Sequence, residues 1–299
     1  MLRTNEDRLI QMAVAAEAWS PALPRTNYRA SAEGVPMLFY GTAGIILNAR
    51  VGCRAYGWAS DHIEPGVSVR HRDDGTEHAL HYLNCVGNEV IVTTGGARGA
   101  KGTITGEHAH LLVDFPPDVM EEMAIGDKMV VRTHGVGLAL LDYPHITVRK
   151  TSPALLHAMG IEEIGEGRLR VPVTAIMPAY LMGSGAELMP EYVDQDLMSN
   201  DRAAIAAHGL DRLRVGDIVA IQDHDHSTGR GYREGSIVIG LINHGDSYLM
   251  GHGPGVMTLL SCPTPHLEPV LDPRANVANH LGIGDWAATP EWPTEEAIA

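Results

Sequence analysis

Turn-forming residues interrupt this chain at such short intervals that most of it can fold only as short strands. The segments between the turns favour β-branched residues and predict strands at 45–51, 86–93, 102–105, 110–115, 128–133, 146–150, 170–178, 217–222, 236–243 and 247–251. Gly and Pro number 33 and 18 among 299 residues, about one in six where about one in eight is usual. Predicted helices are few. The first, 6–19, carries Leu9, Ile10, Ala13 and Ala16 at amphipathic spacing behind Asn5 as cap, and short ones follow at 117–124, 153–159, 201–208 and 273–281. The expected fold is mainly β, with two β-barrel-like or sandwich subdomains and a few short helices. An N-terminal subdomain is expected over 1–150 and a C-terminal one over 151–299, the boundary falling near the exposed run 160–167.

Two turns repeat a pattern. Gly126-Asp127 and Gly216-Asp217 each follow a short predicted helix and precede a strand, Gly supplying a positive φ and Asp a side-chain cap. The segment from Val90 to Thr105, with Gly95, Gly96, Gly99 and Gly102, resembles the strand, glycine loop, strand unit of SH3-like barrels known as the KOW motif. Arg98 and Lys101 are its only basic residues.

With 22 basic against 37 acidic side chains, the net charge of −15 leaves no basic tract for a phosphate backbone, so a nucleic-acid partner is not expected. No apolar run reaches the roughly 18 residues of a membrane helix, and Glu6, Asp7 and Glu17 lie where a secretory signal would be basic and then apolar. The expectation is a cytoplasmic protein without a membrane partner. Cys53, Cys85 and Cys262 are too few and too scattered for a disulfide framework.

Chemistry concentrates late in the chain. Asp223, His224, Asp225 and His226 are followed by His244 and Asp246, each set at the end of a predicted strand, where alternate residues share a face. Asp223, Asp225, His244 and Asp246 are the expected ligands of a divalent metal, with Zn, Mn, Fe or Mg suiting an oxygen and imidazole shell. The other reading is that these side chains cap loops. In Gly251-His252-Gly253-Pro254-Gly255 the glycines let backbone approach a substrate, and His252 is placed to move a proton near pH 7. Arg230 is a candidate clamp for a substrate carboxylate. Upstream, Asp61, His62 and Glu64 precede the turn Pro65-Gly66 and offer further binding or acid/base groups. Cys85 is a candidate nucleophile, with a small buried thiol as the alternative.

The segments 58–67, 85–89, 113–116, 182–185 and 251–256 together resemble the bacterial and archaeal family called domain of unknown function 4438, over about Gly41 to Leu260. The resemblance implies a mostly β architecture in more than one subdomain and carries no named activity. The family counterpart of 223–226 reads Asp, non-His, Asp, non-His, which favours Asp223 and Asp225 over His224 and His226 as ligands.

These residues point to a divalent-metal-assisted hydrolase of a small polar substrate such as an amide, lactam or cyclic imide. In that scheme His252 or Glu64 carries the proton. A metal-assisted lyase or isomerase would use the same groups, Cys85 would serve a metal-free thiol hydrolase, and a non-catalytic ligand-binding or protein-binding barrel is the competing class. Many short strands with few covering helices leave sheet edges to hide, which predicts a homo-oligomer.

Overall fold

The computed structural model describes residues 2–21, 28–38, 41–185, 190–192 and 194–286. In the first half the strands are β1 (Met12–Ala18), β2 (Arg29–Ala30), β3 (Pro36–Met37), β4 (Val67–Arg70), β5 (Glu89–Val92), β6 (Lys101–Glu107), β7 (Leu111–Asp114) and β8 (Lys128–Thr133), with helices α1 (Asp74–Leu83) and α2 (Pro117–Glu122). The second half contains β9 (Thr147–Val148), α3 (Pro153–Ala158), β10 (Glu162–Glu163), β11 (Leu169–Val173), β12 (Ala175–Met177), β13 (Asp194–Asp196) and α4 (Arg202–Ala207). It ends with β14 (Ile218–Asp225), β15 (Gly231–Ile242), β16 (Gly255–Cys262), β17 (Leu267–Leu271) and α5 (Val277–Leu281). The chain is mainly β, and no helix among the described residues is long and apolar enough to cross a membrane.

Six strands close a barrel in the order β1-β4-β7-β6-β5-β8. Its interior is filled by Val14, Val67, Val69, Val90, Ile104, Leu111, Val113, Met129 and Val131, and Phe115 plugs one end. Val90 to Thr105 supplies the β5 and β6 hairpin of that barrel. A second sheet runs β12-β14-β15-β16-β13, with β9 also on β16, and a small sheet β10-β11-β17 lies beside it.

The two Gly-Asp turns are built alike. Gly126 and Gly216 have φ of +87° and +89°, and one carboxylate oxygen of Asp127 and of Asp217 accepts the N–H three residues earlier, from Ala124 and Arg214, each at 2.8 Å. Each turn launches a strand, β8 and β14.

The helix expected at 6–19 is not formed. Only Glu6–Arg8 makes a 3-10 turn, and Met12–Ala18 is a strand paired from Met12 opposite Thr133 to Glu17 opposite Lys128. Val14, Ala16 and Ala18 point inward at period two, small enough for a narrow barrel, so closing the sheet overrides a helical spacing. The segments 45–51 and 247–251 are turns and bends rather than strands, apart from a single bridge from Ile45 to Val67. Helix α1, absent from the sequence reading, is capped by Asp73 accepting from Thr76 N–H at 2.8 Å. Helix α4 is capped by Asp201, which accepts from Ala204 N–H at 3.0 Å.

Candidate metal centre

Where the barrel meets the second sheet, loop ends from both halves converge. His62 precedes β4, His108 follows β6, Asp194 and Asp196 lie on β13, His244 follows β15, and His252 precedes β16. The two halves are stitched here by backbone: His62 N–H donates to Asp246 C=O and Gly245 N–H to Ile63 C=O, both at 2.9 Å. Asn243 Nδ2 donates to Glu107 C=O of the barrel and, at 3.0 Å, to Asp194 Oδ1. His62 is held at φ +45°, a left-handed conformation that a non-glycine residue keeps only when its surroundings impose it.

Each imidazole is anchored on one nitrogen. His62 Nδ1 is 2.6 Å from Asp61 Oδ2, His108 Nδ1 is 3.0 Å from Glu64 Oε1, and His244 Nδ1 is 2.8 Å from Gly245 C=O. All three partners accept only, so Nδ1 carries a proton, and in the neutral ring Nε2 is then the atom with the lone pair, the arrangement of a metal-ligating histidine. His252 differs. Its Nε2 is 2.8 Å from Ser184 Oγ, a hydroxyl that both donates and accepts, while Nδ1 faces inward.

The inward atoms gather around Asp196. His252 Nδ1 lies 2.7 Å and His62 Nε2 3.7 Å from Oδ2, and His244 Nε2 lies 3.5 Å from Oδ1. Asp194 Oδ2 is 3.6 Å from His244 Nε2 and 4.0 Å from His108 Nε2. Donors sharing one ion at about 2.1 Å stand about 3 to 3.5 Å apart, and these separations bracket that range. His244 Nε2, His252 Nδ1 and Asp196 Oδ2 are buried without a hydrogen-bond partner, a costly state that a cation held by His244 and Asp196 would relieve for those two.

Electrostatics favour a cation. Burial alone would raise the pKa of Asp196, but His244, His252 and His62 outweigh it and hold the carboxyl well below its usual range. Burial would likewise raise Glu64, and His108 and His110 more than reverse it. His244 moves the other way: burial disfavours its charged form, yet Asp194 and Asp196 push its pKa well above the ordinary value. A divalent ion among these groups compensates the same carboxylates while the imidazoles stay neutral.

Of the residues expected from sequence, the structure gathers His244, His252, His62, Asp61 and Glu64, with roles partly redistributed. Glu64 is nearly fully buried and both its oxygens are taken, Oε1 by His108 and Oε2 by His110 and Ser68 Oγ at 2.8 and 2.6 Å, so it orients imidazoles and is not free to carry a proton. Asp223 and Asp225 lie outside the cluster. A bulge between Gln222 and His224 turns Asp223 to accept from Gly235 N–H at 2.7 Å, and Asp225 accepts from Ser227 N–H and Ser261 Oγ at 2.9 and 3.1 Å. Asp246 is also occupied, binding Ser199 Oγ, Ser247 N–H and, at 2.8 Å, Arg202 Nη2. These three carboxylates cap and tie loops.

Arg230 does not reach the centre. With the Gln195 amide oxygen turned toward it, Nε and one Nη donate at 3.0 Å each, bracing β13 from the face opposite Asp194 and Asp196. The glycines of the 251–255 loop serve packing: a Cβ at Gly253 would overlap Leu197 C=O and one at Gly255 would overlap His244 Nε2. Gly251 accepts Ser184 N–H at 2.9 Å. Cys85 is buried in another part of the fold, and burial pushes its thiol up to about 12, opposite to what a nucleophile requires.

Three groups were not anticipated from sequence: His108, Asp194 and Asp196. Each carries a visible signal, since His108 and His110, like Asp194 and Asp196, are spaced by two and so share a face of extended chain.

Comparison with known proteins adds relatedness without an activity. The family model described as domain of unknown function (DUF4438), N-terminal, matches residues 28–157, and its C-terminal counterpart matches 158–281. The crystal structure of TM1086 is similar at a TM-score of 0.88 and 40% identity, covering 94% of this chain and 99% of that one. No curated protein matches the chain.

Proposed function

The chain belongs to the DUF4438 family, and within it we propose a divalent-metal-assisted hydrolase of a small polar substrate with a C–N bond, such as an amide, lactam or cyclic imide. The carrying observation is that three histidines with acceptor-fixed outer nitrogens and two aspartates bring their free atoms together in overlapping triads, His62, His108 and His244 in one and Asp194, Asp196 and His244 in another, the atoms of each triad within 4.8 Å of one another. His62, His108, His244, Asp194 and Asp196 are the proposed ligands, a set suited to zinc, manganese or iron. When bound, such an ion polarises a carbonyl and lowers the pKa of bound water.

The sixth inward group is given the proton. Six protein donors would close an octahedral ion to substrate, so one must act otherwise. His252 is the choice because its side chain is 30% exposed, against 0% for His244, and its hydroxyl anchor permits either tautomer. In this scheme Nδ1 accepts a proton from the attacking water and returns it to the leaving nitrogen, with Ser184 Oγ following the change at Nε2. Asp61 and Glu64 hold the ligand rings.

The test is a screen of small amides, lactams and cyclic imides, scored by ammonia or acid release, on protein as purified, after chelation and after metal return. Turnover lost on chelation and restored by a transition metal supports the reading. Turnover indifferent to chelation contradicts it. We also propose a cytoplasmic homo-oligomer: Val270 and Leu271 are exposed on β17 at the edge of its sheet, and light scattering giving 32.2 kDa would contradict self-association.

A further inference from the structure

We propose that Cys262, His145 and His266 form a second, independent metal site that takes zinc. One ligand atom from each lies within 4.8 Å of the others, and the two rings have centroids 4.4 Å apart at 60°. The site is on the far ends of β16 and β17, and none of its residues belongs to the centre described above.

The hydrogen bonds prepare all three groups as ligands. His145 Nε2 is 3.1 Å from Gly167 C=O, an acceptor, so it carries the proton and Nδ1 keeps its lone pair. Thr264 Oγ1 is 2.7 Å from His266 Nδ1 and 3.4 Å from Cys262 Sγ. The threonine hydroxyl both donates and accepts, so when a metal draws a thiolate at Cys262 it can donate to sulfur while accepting from His266 Nδ1–H. Cys262 Sγ, His266 Nε2 and His145 Nδ1 are then the free donors.

The sequence holds these donors in place. Cys262 ends β16 opposite Ile237, and Cys262-Pro263-Thr264-Pro265-His266 has prolines fixing φ on both sides of the threonine. His145 comes from the loop before β9, and Gly167 from the connection between β10 and β11. One thiolate and two imidazoles without a carboxylate suit zinc and reject magnesium or calcium. Both histidines are half-buried, which leaves the fourth position to solvent. The ion would join two segments far apart in sequence, the loop at His145 and the stretch 262–266.

Cobalt(II) is the probe, because thiolate-to-cobalt charge transfer gives an intense near-ultraviolet band and the carboxylate and imidazole centre contains no thiolate. Chelator-stripped, reduced full-length protein is titrated with cobalt(II). The expected result is that band, with the intensity of one thiolate-bound cobalt per chain, absent in Cys262→Ser, weakened in affinity by at least about tenfold in His145→Gln and His266→Gln, and intact in His244→Gln. If Cys262→Ser fails to fold, the two glutamine variants decide, since both retain the thiol. No band at saturating cobalt, a band surviving Cys262→Ser, or unchanged affinity in both glutamine variants overturns the proposal. A band in wild type with a catalytically silent protein would count against the hydrolase alone.

Discussion

His252 Nδ1 and Asp196 Oδ2 stand 2.7 Å apart, both buried, and do not meet at a hydrogen-bonding angle. Asp196 also receives His62 and His244 from other directions; in the proposed centre a cation held by Asp196, His62 and His244 would satisfy the carboxylate and leave His252 Nδ1 beside it to take a proton.

If Glu64 orients ligands, Glu64→Gln should weaken metal affinity by about 10- to 100-fold, the usual effect of a lost outer partner of a ligating histidine. The carboxylate bonds to His108 and His110 become amide contacts that no longer fix the ring protons. Competition against a chromophoric chelator measures it. Unchanged affinity with a lowered melting temperature would reduce Glu64 to a packing role.

His252→Gln should retain metal and melting temperature but lose about 10² to 10⁴ in turnover on any substrate the screen finds, the range for a general acid or base. Loss of the metal instead would make His252 a ligand.

Cys85 should resist alkylation. A thiol pushed up to about 12 by burial has roughly three-thousandfold less thiolate near neutral pH than a free one with pKa about 8.5. Mass spectrometry of native and denatured protein treated with iodoacetamide should show Cys85 labelled only after denaturation. Rapid native labelling would return it to candidacy as a nucleophile.

Stability should fall on the alkaline side through His81. Burial opposes its charged form, but Glu107 and Glu77, at 3.7 and 3.2 Å, raise its pKa to about 9; Lys150, bonded to Glu107 at 3.0 Å, Arg70, bonded to Glu77 at 2.7 Å, and Tyr192 also belong to its charged and titratable surroundings. The folded pKa exceeds the unfolded value of about 6.5, so this contribution, up to about 3 kcal/mol, is complete below pH 6.5 and is lost as pH rises through 9. Urea unfolding from pH 6 to 10 should show the loss in wild type and a flatter profile in His81→Gln. Parallel profiles would contradict it.

Local signals were readable in the sequence, and long-range ones were not. Strand β8 and the two Gly-Asp turns follow from residues within a few positions of each other. The first strand was hidden because Leu9, Ile10, Ala13 and Ala16 fit a helical period, and only pairing with 128–133 decides otherwise. At the centre, His62, His244 and His252 were visible as histidines in glycine-punctuated loops. Asp223 and Asp225 drew attention because histidines adjoin them in sequence, yet a bulge sends Asp223 to Gly235. Asp196 was overlooked because its importance depends on β13 pairing with β16 and on a barrel turn arriving opposite, neither of which leaves a local mark.

The most direct measurement is anomalous X-ray diffraction, above and below the absorption edge of the metal found by elemental analysis, from crystals of protein purified without chelator. One peak is expected about 2.0 to 2.3 Å from Nε2 of His62, His108 and His244 and from Asp194 and Asp196, with His252 beyond bonding distance. Crystals showing no anomalous signal there, with His244 and His62 bonded directly to Asp196 as ion pairs, would contradict the metal centre.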